Sequence, residues 1–521
     1  MAPPKKYLNY IGGKWVPSRS GKTFPNVNPA DRDDVIGFFP ESGAEDVSLA
    51  VEAAERAFPE WRLVPPPRRG EILLKAGLLM KERKEELARL MTREMGKVLR
   101  ETRGDVQEAV DMASYAAGEG RRLFGQTSTS ELRDKFAMSI RMPVGVTGLI
   151  SPWNFPLAIP VWKVFPALIC GNTAVLKPAE DTPLSAVELV RILEEAGLPK
   201  GVLNLVHGGP AAGEALVRHP AVRLISFTGS SEVGRLIGEH CGKTLKRCSL
   251  EMGGKNAQIV MDDADLDLAL EGAVWGAFGT TGQRCTAASR IFVQENTFSR
   301  FKKMFLERAR QIKIGDGMKK GVEMGPLISE VQRKRVHEYV EIGRKEGAKL
   351  EIGGGPARGK GLDKGSFYPP TVFTGAHPKM RIMQEEIFGP VTCLVPFKRF
   401  EEAIRSVNDT AYGLSSSLYS RDVNFAMKAI RDIEAGVTYI NGPTIGAEVH
   451  LPFGGVKNTG NGHREAGQTA LDIFSEWKTV CVDFSGKLQK VQIDVDELKH
   501  EAAENSDTPT SRSQGPGPHP A

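Results

Sequence analysis

An α/β fold built on parallel sheet is predicted by two series of short apolar segments. The first starts at Val144 and holds "VGVTGLIS", "NTAVLKP", "VLNLVHGG" and "RLISFTGS", each followed by a helical or loop stretch. The second follows Cys285 and holds "RIFVQ", "PTVFTG", "VTCLVPF", "SSSLYS" and "VTYINGP". Apolar runs of strand length that alternate with helices read as βαβ units. Two such series in succession predict two domains with a cleft between them.

In chain order, a strand-like stretch opens the sequence. A helical region comes next: in "RGEILLKAGLLMKERKEELARLMTREMGK", Ile72, Leu73, Ala76, Leu79 and Met80 recur at helical spacing. The acids and bases alternating through that segment read as a solvated helix face. "KFAMSIRMPVG" and "FSEWKTVCVDFS" look like extra strands at the edges of the α/β plan. Beyond them "KLQKVQIDVDELKH" offers an apolar edge of Leu488, Val491, Ile493, Val495 and Leu498. The polar, Pro- and Gly-rich "ENSDTPTSRSQGPGPHPA" predicts a disordered tail.

Composition narrows the function. The chain of 521 residues is 40% hydrophobic and 26% charged, as soluble globular proteins are. A net charge of +5, spread along the chain, argues against a nucleic-acid footprint. The most apolar region, Val144 to Leu176, is broken by Asn154, Lys163 and four prolines, so it is not expected to span a membrane. The start "MAPPKKYLNYIGGKWVP" has no apolar core of signal-peptide length. Six cysteines without a C-x-x-C and nine histidines without H-E-x-x-H suggest neither a disulfide scaffold nor a metal site. A cytoplasmic protein is expected.

Several stretches carry chemistry-bearing residues, each with a plain alternative. In "RLISFTGSSEVGRLIG", Gly229 and Gly234 flank a strand-to-helix turn where backbone N–H groups suit a pyrophosphate; an ordinary turn is the alternative. "TAVLKPAEDTP" ends a strand with Lys177 and Glu180, where a carboxylate accepts from a ribose diol and repels a 2′-phosphate; the alternative is a surface ion pair. Glu251 in "SLEMGGKNA" suits a general base or a solvated turn acid. Asn154 in "SPWNFP" suits an oxyanion donor or a structural turn. Cys285 sits in "GTTGQRCTAASR", a small and polar setting that presents a thiol.

Together, "SPWNFP", "VLKPAE", "SFTGSSEVG", "LEMGGKNA", "GQRC", "EEIFGP", "NDTAYGLSSSLYS" and "PFGGVKNTGNGHREAG" resemble the successive motifs of the aldehyde dehydrogenase superfamily. The resemblance covers about Gly12 to Phe484, and the separation of 34 positions between Glu251 and Cys285 fits it. It implies an aldehyde dehydrogenase-like α/β fold with two Rossmann-like domains and a small β oligomerisation element. The implied parts are an NAD-binding domain (1–122 and 145–252) and a catalytic domain (253–464). Oligomerisation strands (123–144 and 465–485) and a C-terminal extension (486–521) complete them. The extension is expected to dock on a neighbouring subunit or to be inert.

The resemblance makes Cys285 the nucleophile, Asn154 and the Cys285 backbone N–H the oxyanion donors, and Glu251 the base that activates water. Its implied cofactor is NAD, with weaker use of NADP. Trp153 joins the cofactor residues, Gly229, Ser230, Val233 and Gly234 line the pyrophosphate, and Lys177 and Glu180 meet the adenosine ribose. Gly209 and Gly213 lie near the adenine, and Glu386 and Phe388 near the nicotinamide ribose. The partners implied are a small-molecule aldehyde and further copies of the chain, as dimer or tetramer. Glu251 favours hydrolysis over transfer to coenzyme A. The alternatives are a coenzyme A-acylating semialdehyde dehydrogenase or a member specific for a semialdehyde of the aminoadipic type; a broad-range oxidiser is the general expectation. Glu448, in "NGPTIGAEVHLPFGG", either meets a cationic substrate group or faces solvent. One departure from the motif is His463, an extra residue in "TGNGHREAG".

Overall fold

A computed structural model describes residues 5–359 and 361–488. Most of the "KLQKVQIDVDELKH" edge and the Pro/Gly-rich tail lie outside the described residues. Contacts divide the chain into a larger unit, Met1–Leu123 with Met142–Glu476, and a smaller one, Phe124–Arg141 with Trp477 onward.

The larger unit holds two seven-stranded sheets. The first runs in the order Arg247–Glu251, Val222–Thr228, Val146–Ile150, Thr173–Lys177, Leu203–Leu205, Asn9–Ile11, Lys14–Val16. Its first five strands are parallel, and the N-terminal hairpin adds two antiparallel strands at one edge. Val146–Ile150 and Thr173–Lys177 are buried at every position. That is why they read as unbroken apolar runs: helices cover both faces of such a sheet. The first of these strands lies between the second and the fourth in sequence, so the chain switches direction there. Ligands of doubly wound sheets bind outside the carboxyl ends at that point.

The second sheet runs Lys349–Ile352, Thr371–Thr374, Val391–Phe397, Ala288–Gln294, Asn256–Val260, Ser415–Tyr419, Val437–Ile440. All its neighbours are parallel except the first pair. The stretch of residues 69–97 expected to be helical forms two helices, Pro66–Glu82 and Lys84–Met95, broken at Arg83. Leu73, Ala76 and Met80 of the first are buried against the core as their spacing predicts. Gly96, at φ +90°, ends the second in the left-handed conformation that glycine adopts most readily.

Gln126–Thr129, Lys135–Pro143 and Ser475–Asp483 form a separate three-stranded sheet, running from the larger unit's boundaries into the smaller unit. Both edge-strand motifs of the sequence thus lie in one sheet.

Candidate active site

The strand Val146–Ile150 runs out into Ser151–Asn154, and Val222–Thr228 into Gly229 and Ser230. Both turns therefore leave the carboxyl ends of adjacent strands at the switch point. Facing them are the loops that enter strands of the second sheet: Gly253–Gly254 before Asn256–Val260, Cys285 before Ala288–Gln294, and Glu386–Phe388 before Val391–Phe397. Together they line a 170 Å³ cavity that includes Trp153, Asn154, Thr228, Gly229, Ser230 and Cys285, with Glu386 and Phe388 opposite.

The loop that carries Cys285 is held by buried polar contacts. Thr280 and Thr281 have positive φ, and their turn is tied down from outside. The Thr280 N–H donates to Glu101 Oε1 (2.7 Å), and Thr281 Oγ1 donates to the Gly325 carbonyl (3.0 Å). Gln283 accepts from the Ile328 N–H at 2.9 Å. Asn256 Nδ2 donates to the carbonyls of Cys285 (2.6 Å) and Ala287 (3.0 Å). A β-carbon at Gly254 would overlap the Cys285 carbonyl oxygen, so glycine is what lets the two loops touch.

Cys285 is half-buried, and burial pushes its thiol up to about 12; the charges of Glu386 and Glu251 add to this, while Arg284 and its own N–H oppose it. Burial thus favours the neutral thiol over the thiolate. Asn154 is buried and donates through Nδ2 to the Gln283 carbonyl at 3.1 Å. Its second N–H remains for a substrate oxygen.

Glu251 ends its strand in a buried position, 3% exposed, rather than in a solvated turn. Its Oε1 has no hydrogen-bond partner among the described residues. Burial holds its carboxyl well above the usual range, and the charge of Glu465 pushes the same way, against Lys163 and Arg464. Lys163 Nζ donates to Glu465 Oε1 and, at 3.0 Å, to Ser226 Oγ. Glu386 accepts from the Gly254 N–H at 2.9 Å, and burial raises its carboxyl to about 7.

The expected cofactor residues fall in two groups. Trp153, Gly229, Ser230, Glu386 and Phe388 share the cavity, with Trp153 and Phe388 meeting edge to face at 5.2 Å. Lys177, Glu180, Gly209 and Gly213 gather beyond the next two strands. There Lys177 Nζ lies 3.6 Å from Glu180 Oε2 and donates to the Gly208 carbonyl at 2.7 Å. Ser230 caps the helix Ser231–Thr244, accepting from the Val233 N–H at 3.3 Å. Val233 lies exposed in the first turn of that helix. Gly234 is buried, and a β-carbon there would strike Met252, so its smallness makes room for that side chain. Thr228 Oγ1 and Ser231 Oγ, at the same turn, are buried without a partner among the described residues. Unclaimed hydroxyls at a helix N-terminus, beside a cavity, fit a phosphate-bearing ligand. Glu448 is exposed, 3.4 Å from His450.

Sequence reasoning missed the Lys163–Glu465 pair behind Glu251, and Glu108. Lys163 was visible as the lone charge in an apolar helix. Its partner lies 302 positions away, in the loop that carries the extra His463.

A thiol and an amide donor thus line one cleft at the switch point of a two-sheet α/β scaffold, with the buried carboxylate of Glu251 next to the lining residue Met252. The sequence profile of the aldehyde dehydrogenase family matches residues 15–480, and the chain belongs to that family. It is 44% identical to the alpha-ketoglutaric semialdehyde dehydrogenase of Bacillus subtilis (strain 168), over 91% of this chain and 98% of that one. It is 42% identical to aldehyde dehydrogenase 1A1 of Rattus norvegicus, over 92% and 95%. Among solved structures, betaine aldehyde dehydrogenase from Staphylococcus aureus in complex with NAD+ superposes with a TM-score of 0.90 at 35% identity, covering 92% of this chain and 95% of that one.

Proposed function

We propose that the chain oxidises an aldehyde to a carboxylic acid with NAD, through a thiohemiacetal and a thioester on Cys285. The observation that carries this reading is that Cys285 and Asn154 line one cleft, while buried Glu251, next to the lining residue Met252, is near enough for its charge to act on the Cys285 thiol. The Cys285 thiol gives its proton to a neighbouring carboxylate and adds to the carbonyl carbon. The free N–H of Asn154 and the backbone N–H of Cys285 hold the oxygen that becomes negative. NAD, when bound, accepts the hydride that leaves the thiohemiacetal. Thr228, Gly229 and Ser230 would hold its pyrophosphate, Lys177 and Glu180 its adenosine ribose, and Glu386 its nicotinamide ribose. Glu251 then takes a proton from water, which attacks the thioester and releases the acid. Burial raises its pKa, which makes the deprotonated carboxylate a stronger base toward water.

Residues 1–122 with 145–252 would serve the cofactor and 253–464 the chemistry, with the small sheet serving assembly. We place the chain in a reducing, cytoplasmic setting, as its six cysteines without a C-x-x-C suggest. The Bacillus relative is named for a semialdehyde, which makes semialdehydes the first class to test.

Glu251→Gln should acylate normally and deacylate slowly. A pre-steady-state burst of NADH followed by turnover at least a hundredfold below wild type is expected. Wild-type turnover in that variant would assign water activation elsewhere. A thioester product, and faster turnover when coenzyme A is added, would favour the acylating reading. Cys285→Ala should lose at least a thousandfold in rate while still binding NAD.

A further inference from the structure

Helix Ser231–Thr244 packs on strand Arg247–Glu251 in one continuous register. A β-carbon at Gly234 would strike Met252, just past the strand, and one at Gly238 would stand 3.3 Å from Leu250 Cδ1. Helix positions one turn apart thus meet strand positions two apart, in opposite order. The next step along both elements sets Cys241 against Cys248. Cys241 lies in the apolar cluster of Ile237, Leu250 and Met252, and Cys248 packs against that cluster. The two thiols are hydrogen-bonded to each other. Between them Leu245, left-handed at φ 54°, reverses the chain, and the Lys246 N–H donates to the Cys241 carbonyl at 2.9 Å.

The pair is asymmetric. Accepting a hydrogen bond from Cys241 holds the Cys248 thiol down, while giving one, together with burial, pushes Cys241 up. Cys248 is half-buried and Cys241 buried. Cys241 also lines a 790 Å³ surface cavity with Arg223, Lys246 and Arg247. An accessible thiol of thiolate character beside a second, resolving thiol is the arrangement that hydroperoxides oxidise. The strand ends at Glu251 and lies at the edge of its sheet. Asn461 clasps that edge: its Nδ2 donates to the Cys248 carbonyl at 2.8 Å and to Cys248 Sγ at 3.6 Å, and its Oδ1 accepts from the Leu250 N–H at 2.9 Å.

We propose that Cys241 and Cys248 are a redox-modification site, which a hydroperoxide closes to a disulfide, loosening the Asn461 clasp on the Glu251 strand and slowing turnover. The Cys248 sulfur attacks a peroxide oxygen. An S–O bond forms as O–O breaks, and the leaving oxygen departs as water or alcohol with the proton that Cys248 gave up. The Cys241 sulfur then attacks the sulfenic sulfur. S–S forms, S–O breaks, and the hydroxyl leaves as water with the Cys241 proton. Two electrons and two protons pass from the thiols to the peroxide, and a thiol reductant returns them. Closure draws the sulfurs from hydrogen-bond contact to about 2 Å, which pulls Cys248 toward the helix and away from Asn461. The slowing rests on Glu251 as the base; the disulfide and the loosened clasp do not.

The full chain is exposed to hydrogen peroxide as wild type, Cys241→Ser and Cys248→Ser, then alkylated and mapped by mass spectrometry. Trypsin cuts between the two cysteines at Lys243, Lys246 and Arg247. Wild type should give a Cys241–Cys248 linked peptide lacking two hydrogens, which dithiothreitol separates. Cys241→Ser should stop at a Cys248 sulfenic acid that dimedone traps. The Leu250 amide should exchange with deuterium at least tenfold faster in linked than in reduced wild type. Peroxide also reaches Cys285, so kcat is compared with that of Cys241→Ser after the same exposure. Wild type should fall at least threefold below it, and dithiothreitol should close the gap. No linked peptide under excess peroxide overturns the proposal. So does a linked protein whose Leu250 exchange, or whose kcat relative to Cys241→Ser, is unchanged. If wild type forms no NADH from any aldehyde, the proposed oxidation fails, and the link and the Leu250 exchange alone decide this site.

Discussion

Lys163 and Glu465 show how single residues set the chemistry from behind. Both are buried, and their charges act on Glu251: Lys163 lowers the pKa that burial and Glu465 raise. Lys163→Met leaves buried Glu465 without its ion-pair partner, and Arg464 as the remaining cation acting on Glu251. Breaking a buried pair in this way costs about 3–5 kcal/mol, so Tm should fall clearly. The same change removes a charge that lowers the Glu251 pKa. The acidic limb of the deacylation rate against pH should therefore move to higher pH, and a limb that stays in place would separate the pair from the base. Glu108 gives the opposite kind of test. Burial raises its folded pKa to about 8, above the 4.5 usual for a glutamate. A carboxyl whose folded pKa is raised favours folding at low pH, and that advantage is lost as pH rises through about 8. Glu108→Gln should gain stability relative to wild type as pH rises from about 4.5 to about 8, and hold that gain above it. Parallel Tm curves would show that Glu108 does not titrate in this window.

At the scale of elements, the site is an arrangement of strand ends, and small residues decide how closely the loops approach. Gly254 has ordinary φ, so Gly254→Ala is opposed by space alone, against the Cys285 carbonyl and the Asn256 amide. Displacing the nucleophile by a fraction of an ångström should cut kcat on the order of a hundredfold. Tm should change far less, and a wild-type kcat would show that the loop gives way. Glu180, at the turn after Thr173–Lys177, tests the proposed ribose contact: Glu180→Ser should raise kcat/KM for NADP relative to NAD. An unchanged ratio would place the 2′-hydroxyl elsewhere. These strand ends were legible in the sequence because fully buried parallel strands are continuous apolar runs bounded by Gly, Pro and Asn. Cys285, Asn154 and Glu251 stood out because each follows or precedes such a run. The helix break at Arg83 was not legible, since the apolar period continues through it from Met80 to Leu87. Nor was the partner of Lys163, because side chains from distant segments meet there only once both sheets are formed.

The smaller unit raises the question of the whole molecule, because its sheet carries more apolar surface than a free monomer usually shows. Phe136 and Ile140 are 43% and 36% exposed on Lys135–Pro143, and Trp477 and Val482 are 52% and 46% exposed on Ser475–Asp483. Arg141 stacks on Trp477 at 4.2 Å, which places the two on one face. Strand alternation then puts Phe136 and Ile140 on the other, so both faces have apolar residues to cover. A three-stranded sheet has little core of its own, and contiguous exposed apolar residues mark an association surface. We expect a homo-oligomer that buries this sheet, at well over 1,000 Å² per interface if it is stable. Ile140→Glu puts a charge on the exposed face without touching the cavity at Cys285. Sedimentation or light scattering should find a multiple of the monomer mass in wild type. In Ile140→Glu it should find a smaller species, or an assembly that dissociates on dilution by at least ten times more readily. If wild type is monomeric at micromolar concentration, or Ile140→Glu assembles as tightly as wild type, that face is not the contact.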